Sequence, residues 1–70
     1  MTRSKLIELL SEAEVVPIRT TDEVIVYQKS FDEDDFIELC IFDDYYTIEY
    51  FKLVGPGTYN SYTICNANFK

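Results

Sequence analysis

Beyond Pro17 the β-branched and aromatic content rises, and four extended runs parted by breaks of a few residues leave few folds open to the chain. The runs are Glu23 to Lys29, Phe36 to Phe42, Tyr45 to Val54 and Thr58 to Cys65. Connections this short favour antiparallel neighbours, because a parallel crossover needs a dozen or more residues. Gly55-Pro56-Gly57 breaks the third run from the fourth, while Asp32 to Asp35 and Asp43-Asp44 form the other two turns.

The second run alternates cleanly, with Ile37, Leu39 and Ile41 on one side and Glu38, Cys40 and Phe42 on the other, so one of its faces should meet another layer. That layer is supplied at the N-terminus. Residues 4 to 14 read as a short amphipathic helix, with Leu6, Leu9, Leu10 and Ala13 at helical spacing and Ser4 as its cap. The helix cannot pass Pro17, and Val15 to Arg19 then forms a connector or a short edge strand. In the third run the apolar parity shifts from Ile48 and Tyr50 to Phe51 and Leu53. A bulge near Tyr50 would explain the shift, and so would burial on both faces. The tail from Asn66 to Lys70 is expected to fray. The expected fold is α+β: one N-terminal helix packed on a four-stranded, mostly antiparallel meander, forming a single domain over residues 1–70.

Seventy residues bury only about 60% of the surface an unfolded chain of that size exposes, leaving little room for a deep cleft. Eleven Tyr and Phe residues still provide enough apolar bulk for one core without a disulfide or metal framework. Cys40 and Cys65 fall in apolar runs and are read as reduced core thiols. With no export signal or membrane span in the N-terminal pattern, the expected compartment is the cytoplasm.

Charge then narrows the function. The net charge of -7 argues against a direct hold on nucleic acid or an anionic membrane, both of which need Lys and Arg, and makes a basic protein the natural partner. Catalysis has little to work with, since the chain has no histidine and neither cysteine has a basic neighbour in sequence to lower its pKa. Carboxylates crowded on solvated turns lack the apolar pocket that would turn one of them into a general acid. A calcium loop counted from Asp32 would need glycine at its sixth position, where Ile37 stands, so no metal and no other cofactor is expected.

Between Lys29 and Lys52 there is no basic residue, yet eight of the thirteen carboxylates lie there: Asp32, Glu33, Asp34, Asp35, Glu38, Asp43, Asp44 and Glu49. The interleaved apolar residues make this stretch a folded hairpin rather than a disordered acidic tail. With arms of at most eleven residues the hairpin would carry about one charge per 4 Å, near the spacing of about 3.4 Å along one DNA strand. Tyr45, Tyr46 and Tyr50 are interleaved with the acids, and tyrosine is enriched where interfaces concentrate their binding energy. These eleven residues are the candidate partner-binding set. Tyr59 and Tyr62 form a second, weaker patch.

The expected function is that of a small inhibitory protein occupying a basic, nucleic-acid-binding surface of a partner. In size, acidity and lack of catalytic apparatus the chain resembles the small proteins phages make against bacterial defence. These include anti-CRISPR and anti-restriction proteins and inhibitors of uracil-DNA glycosylase. The resemblance is one of general character with no shared motif, and it implies action in a host cytoplasm. A different reading is an accessory protein that joins a complex or forms a homodimer through an uncharged sheet edge at Thr58 to Cys65. Blander still, the acidic turns serve solubility alone.

Overall fold

The computed structural model describes residues 1–69, ordered as α1 (Arg3–Glu12), β1 (Arg19–Thr20), β2 (Ile25–Ser30), β3 (Asp35–Ile41), β4 (Tyr45–Gly55) and β5 (Thr58–Asn68). The strands form one antiparallel sheet in the order β1-β2-β3-β4-β5, so each lies beside its neighbour in sequence. The α+β class agrees with the expectation, but the described residues form five strands rather than four. The additional one is the two-residue β1, at the end of the segment read as a connector or edge strand.

The helix is capped two residues earlier than expected. Thr2, not Ser4, is the N-cap, its hydroxyl accepting from the Lys5 amide at 3.1 Å. At the other end the amide of Val15 donates to the Leu10 carbonyl at 2.9 Å and that of Glu14 to Ser11 at 3.0 Å. This is the Schellman pattern, and its left-handed position is held by Glu14 at φ 61° where glycine would be at ease. The helix therefore stops at Glu12, before Pro17 can act. Val15, just past the cap, lines an open cleft of about 380 Å³ together with Leu10 of the last turn and Tyr27, Gln28, Lys29, Ile37 and Leu39 of the sheet. The helix thus lies on the face bearing Ile37 and Leu39, as the alternation required.

The pairing of β3 with β4 runs without interruption from Asp35↔Lys52 to Ile41↔Tyr46. One face carries Tyr27, Ile37, Leu39, Ile41, Tyr46, Ile48 and Tyr50, the other Val26, Phe36, Glu38, Cys40, Thr47, Glu49 and Phe51. The bulge anticipated near Tyr50 is absent from this pair of strands. It occurs instead between β4 and β5, where Ile48↔Cys65 is followed by Glu49↔Thr63 and Ile64 is the extra residue. The apolar shift along β4 therefore reflects half-burial on both faces. Buried side chains are few among the described residues: Val26, Tyr27 and Ile41.

The C-terminal segment departs from expectation as well. Asn66, Ala67 and Asn68 extend β5 and pair with Thr47, Tyr46 and Tyr45, and the amide of Phe69 donates to the Asp44 carbonyl at 2.9 Å. The frayed tail is thus a continuation of the strand up to Asn68; Lys70 lies outside the described residues. At the opposite end of the hairpin Pro56 and Gly57 occupy the two turn positions, and Gly57 takes φ 67°, the sign a type II turn requires after proline. No helix among the described residues is long and apolar enough to cross a membrane.

The two positive φ angles generate predictions of opposite sign. Glu14→Gly should raise the free energy of unfolding by about 1 kcal/mol, because the left-handed penalty of a side chain disappears. Gly57→Ala should lower it by about 1 kcal/mol although no atom obstructs the new Cβ. Both are read from urea unfolding curves. Ile41→Ala, at a side chain with no exposed surface, should cost about 2–5 kcal/mol, enough to leave much of so small a domain unfolded.

Candidate interaction face

The carboxylates singled out in the sequence do not form one ridge. Asp32, Glu33 and Asp34 occupy the β2–β3 turn, whereas Asp43 and Asp44 occupy the β3–β4 turn at the other end of β3. Glu38 and Glu49 stand between the two turns on the face the helix leaves open, and Asp35 lies on the helix-bearing face. Along β3 about 14 Å of strand separates Asp34 from Glu38 and about 17 Å separates Glu38 from Asp43. The expected uniform density near one charge per 4 Å therefore becomes groups of charge about four to five residues of strand apart, because the acids cluster at the turns and only two of them face outward on the open face.

Local hydrogen bonding explains the first group. The Asp32 carboxylate accepts from the amides of Asp34 at 2.6 Å and Asp35 at 3.2 Å, folding the turn back on itself. These amide bonds, with the nearby Asp35 carboxyl and the attraction of Lys52, hold the Asp32 carboxyl below the usual aspartate range. Asp35 is engaged elsewhere. The Tyr50 hydroxyl donates to its Oδ2 at 2.7 Å, while its Oδ1 is buried without a partner. That bond, followed by burial and the charge of Asp35, pushes the Tyr50 hydroxyl up to about 12.

The centre of the open face carries an arrangement that the linear sequence conceals. Glu38 and Glu49 are directly opposite on adjacent strands, which places their Cβ atoms about 4.5–5.5 Å apart. Like charges so placed repel, and among the described residues no cation pairs with either. Glu38 accepts instead from the neutral Gln28 amide at 3.2 Å, and Thr63 stands opposite Glu49 on β5. Among the described residues the one ion pair within 4 Å is Lys5 with Glu8 on the helix, at 3.0 Å. Arg3, whose guanidinium could have reached the Asp43-Asp44 turn, donates to the Phe42 carbonyl at 3.0 Å.

Aromatic rings flank the glutamates on both sides of the same face. Towards the β2–β3 turn, Phe36 and Phe51 stack with centroids 4.8 Å apart, and Tyr59 meets Phe36 edge-on at 5.3 Å. Towards the other turn Phe42 stacks on Tyr45 at 4.6 Å. Of the three interleaved tyrosines only Tyr45 shares the glutamates' face. Tyr46 and Tyr50 point to the helix-bearing side, where Tyr46 contacts Phe69 and Tyr50 lies beside Tyr62. The suggested Tyr59 and Tyr62 patch is likewise divided between the faces. Phe36, Phe42 and Phe51 were missed as site residues. The signal for them was the strand parity that Phe36 and Phe42 share with Glu38, and Phe51 with Glu49.

Cys40 lies on this face, opposite Thr47, and partial burial pushes its thiol up. Both cysteines are free. No group of three or more metal-ligating side chains occurs among the described residues.

Comparison with known protein families, curated proteins and solved structures finds no match to this chain. Its own geometry is what a functional reading has to stand on.

Two outcomes test this geometry. Glu38→Gln keeps the acceptor for Gln28 and removes the repulsion, so it should raise stability by about 0.2–1 kcal/mol in urea unfolding, and should gain nothing once Glu49 is already Gln. In an alkaline titration followed by tyrosinate absorbance, one hydroxyl should ionise late, near pH 12. Because its folded pKa is raised, the stability it contributes is present below the unfolded value of about 10 and lost as pH climbs through about 12. In Asp35→Asn the late titration should return towards 10.

Proposed function

We propose that the chain is a non-catalytic binding protein that lays the open face of its sheet on a basic surface of a partner, of the kind that holds nucleic-acid backbone. The observation carrying this reading is the uncompensated Glu38–Glu49 pair. An arrangement that costs stability in the free protein becomes favourable when an arginine or lysine enters between the carboxylates. The stacked rings on either side offer π-faces to the same cations. The acidic turns at the two ends of β3 extend the negative potential beyond the centre and would steer a basic surface towards it.

The mimicry proposed is of a few anionic points held on a stiff sheet rather than of a continuous phosphate track. Because the face is already folded, little ordering cost accompanies binding. Inhibition follows if the cations engaged are those the partner uses for nucleic acid. This is the property for which the small anti-defence proteins of phages are an analogy, in general character alone.

The experiment is capture of a nucleic-acid-binding protein from host lysate on the immobilised chain at low salt. Raising ionic strength from about 0.1 M to about 1 M shortens the screening length from about 10 Å to about 3 Å and should release the partner. Duplex DNA should release it too. Glu38→Gln with Glu49→Gln should weaken capture about tenfold without lowering the melting temperature, and Asp43→Asn with Asp44→Asn should slow association. Retention that ignores salt, DNA and the glutamate pair would sink the reading.

A further inference from the structure

We propose that β5 is a self-pairing edge through which two copies of the chain join their sheets into one of ten strands. This inference does not depend on the basic-partner reading, which uses the open face of β3 and β4.

The two edges of the sheet differ sharply. One ends in β1, only two residues long and carrying Arg19. A short, charged edge is a protected one. The other is β5, eleven residues from Thr58 to Asn68 with no charged residue and no proline, and with its outward backbone groups unpaired among the described residues. Tyr59, Tyr62 and Ile64 are 44%, 54% and 60% exposed along it.

The occupant follows from charge. A chain of net charge -7 repels its own copy over most approaches, and β5 is the strand that avoids this. Beside the stretch from Tyr59 to Thr63 the facing acid is Glu49, one strand inward and opposite Thr63, while Asp44 lies beyond it next to Phe69. Across a β5–β5 junction the Glu49 residues of the two copies would be at least three strand spacings apart, about 14 Å or more, against a screening length of about 8 Å at physiological salt.

The register is set by symmetry. A two-fold axis normal to the sheet makes the copies antiparallel and keeps their faces continuous, so residues that meet must share a face and the axis must pass between one residue and its own equivalent. The regular part of β5 runs from Tyr59 to Thr63, between the irregularity at Leu53/Gly55 and the bulge at Ile64. Its centre is Ser61. Tyr59 then faces Thr63 of the second copy, and Asn60 faces Tyr62 of the second copy. The bulge bends the remaining segment and limits the pairing to this stretch.

Sedimentation equilibrium from about 1 µM to about 1 mM should show the mass rise from 8.2 kDa to twice that value, with no loss as salt is raised. Tyr62→Lys should weaken the association about tenfold or more, by placing a charge at the junction. Since Tyr62 also lies beside Tyr50, amide exchange on the unmodified chain provides a second reading: alternate amides from Tyr59 to Thr63 should gain protection with concentration. A monomer throughout, a dimer whose β5 amides exchange as fast as when dilute, or a dimer dissolved by salt would each overturn the proposal.

Discussion

Everything in this protein turns on the unbroken antiparallel ladder between β3 and β4, from Asp35↔Lys52 to Ile41↔Tyr46. Strand residues alternate faces, so this register decides the side of every charged and aromatic group between them. A slip of β3 by one residue would bring Glu38 beneath the helix and turn Ile41 outward. The burial of Ile41 forbids it. The same constraint that builds the core therefore fixes the two glutamates against each other on the open side, with stacked aromatic pairs before and after them. Charge placement here is a by-product of packing until a partner makes use of it.

The core that enforces this register is small, with three buried side chains among the described residues and none of them on the helix. A domain of this size commands only a few kcal/mol of net stability. Against that background the left-handed Glu14, the facing glutamates and the unpartnered oxygen of Asp35 are notable costs. They are offset by economical local devices. Thr21 accepts the amides of Glu23 and Val24 in the turn before β2, Asp32 folds the next turn onto its own carboxylate, and Thr2 caps the helix. Tyr50 ties β4 to the start of β3 through Asp35.

Much of the architecture was legible because it is written in short-range terms. Alternation along Phe36 to Phe42 placed Ile37, Leu39 and Ile41 towards the helix, and Gly55-Pro56-Gly57 placed the longest hairpin. What escaped detection depends on relations between strands. A bulge in β5 at Ile64 leaves no trace in β4, so the parity shift at Phe51 was open to being read as a bulge in β4 itself. The polar tail Asn66 to Asn68 joins the sheet only because Tyr45 to Thr47 offer it a partner. The site was legible as a composition and not as a shape. Eight acids could be counted, but their division between two turns and two faces required the register, as did the convergence of Phe36 and Phe51 on the surface of Glu38 and Glu49.

The neighbour-to-neighbour strand order also bears on how the chain reaches this state. Each strand closes on the one just made, through loops of a few residues, so no long segment has to be searched before a ladder can start. Mean sequence separation between touching residues stays low for an all-neighbour sheet, and such topologies fold faster than sandwiches or barrels of similar stability. Growth can start at any hairpin and spread strand by strand. A nascent chain can therefore begin to register its sheet while its C-terminal strand is still being synthesised, and β5, the last strand to arrive, completes the edge.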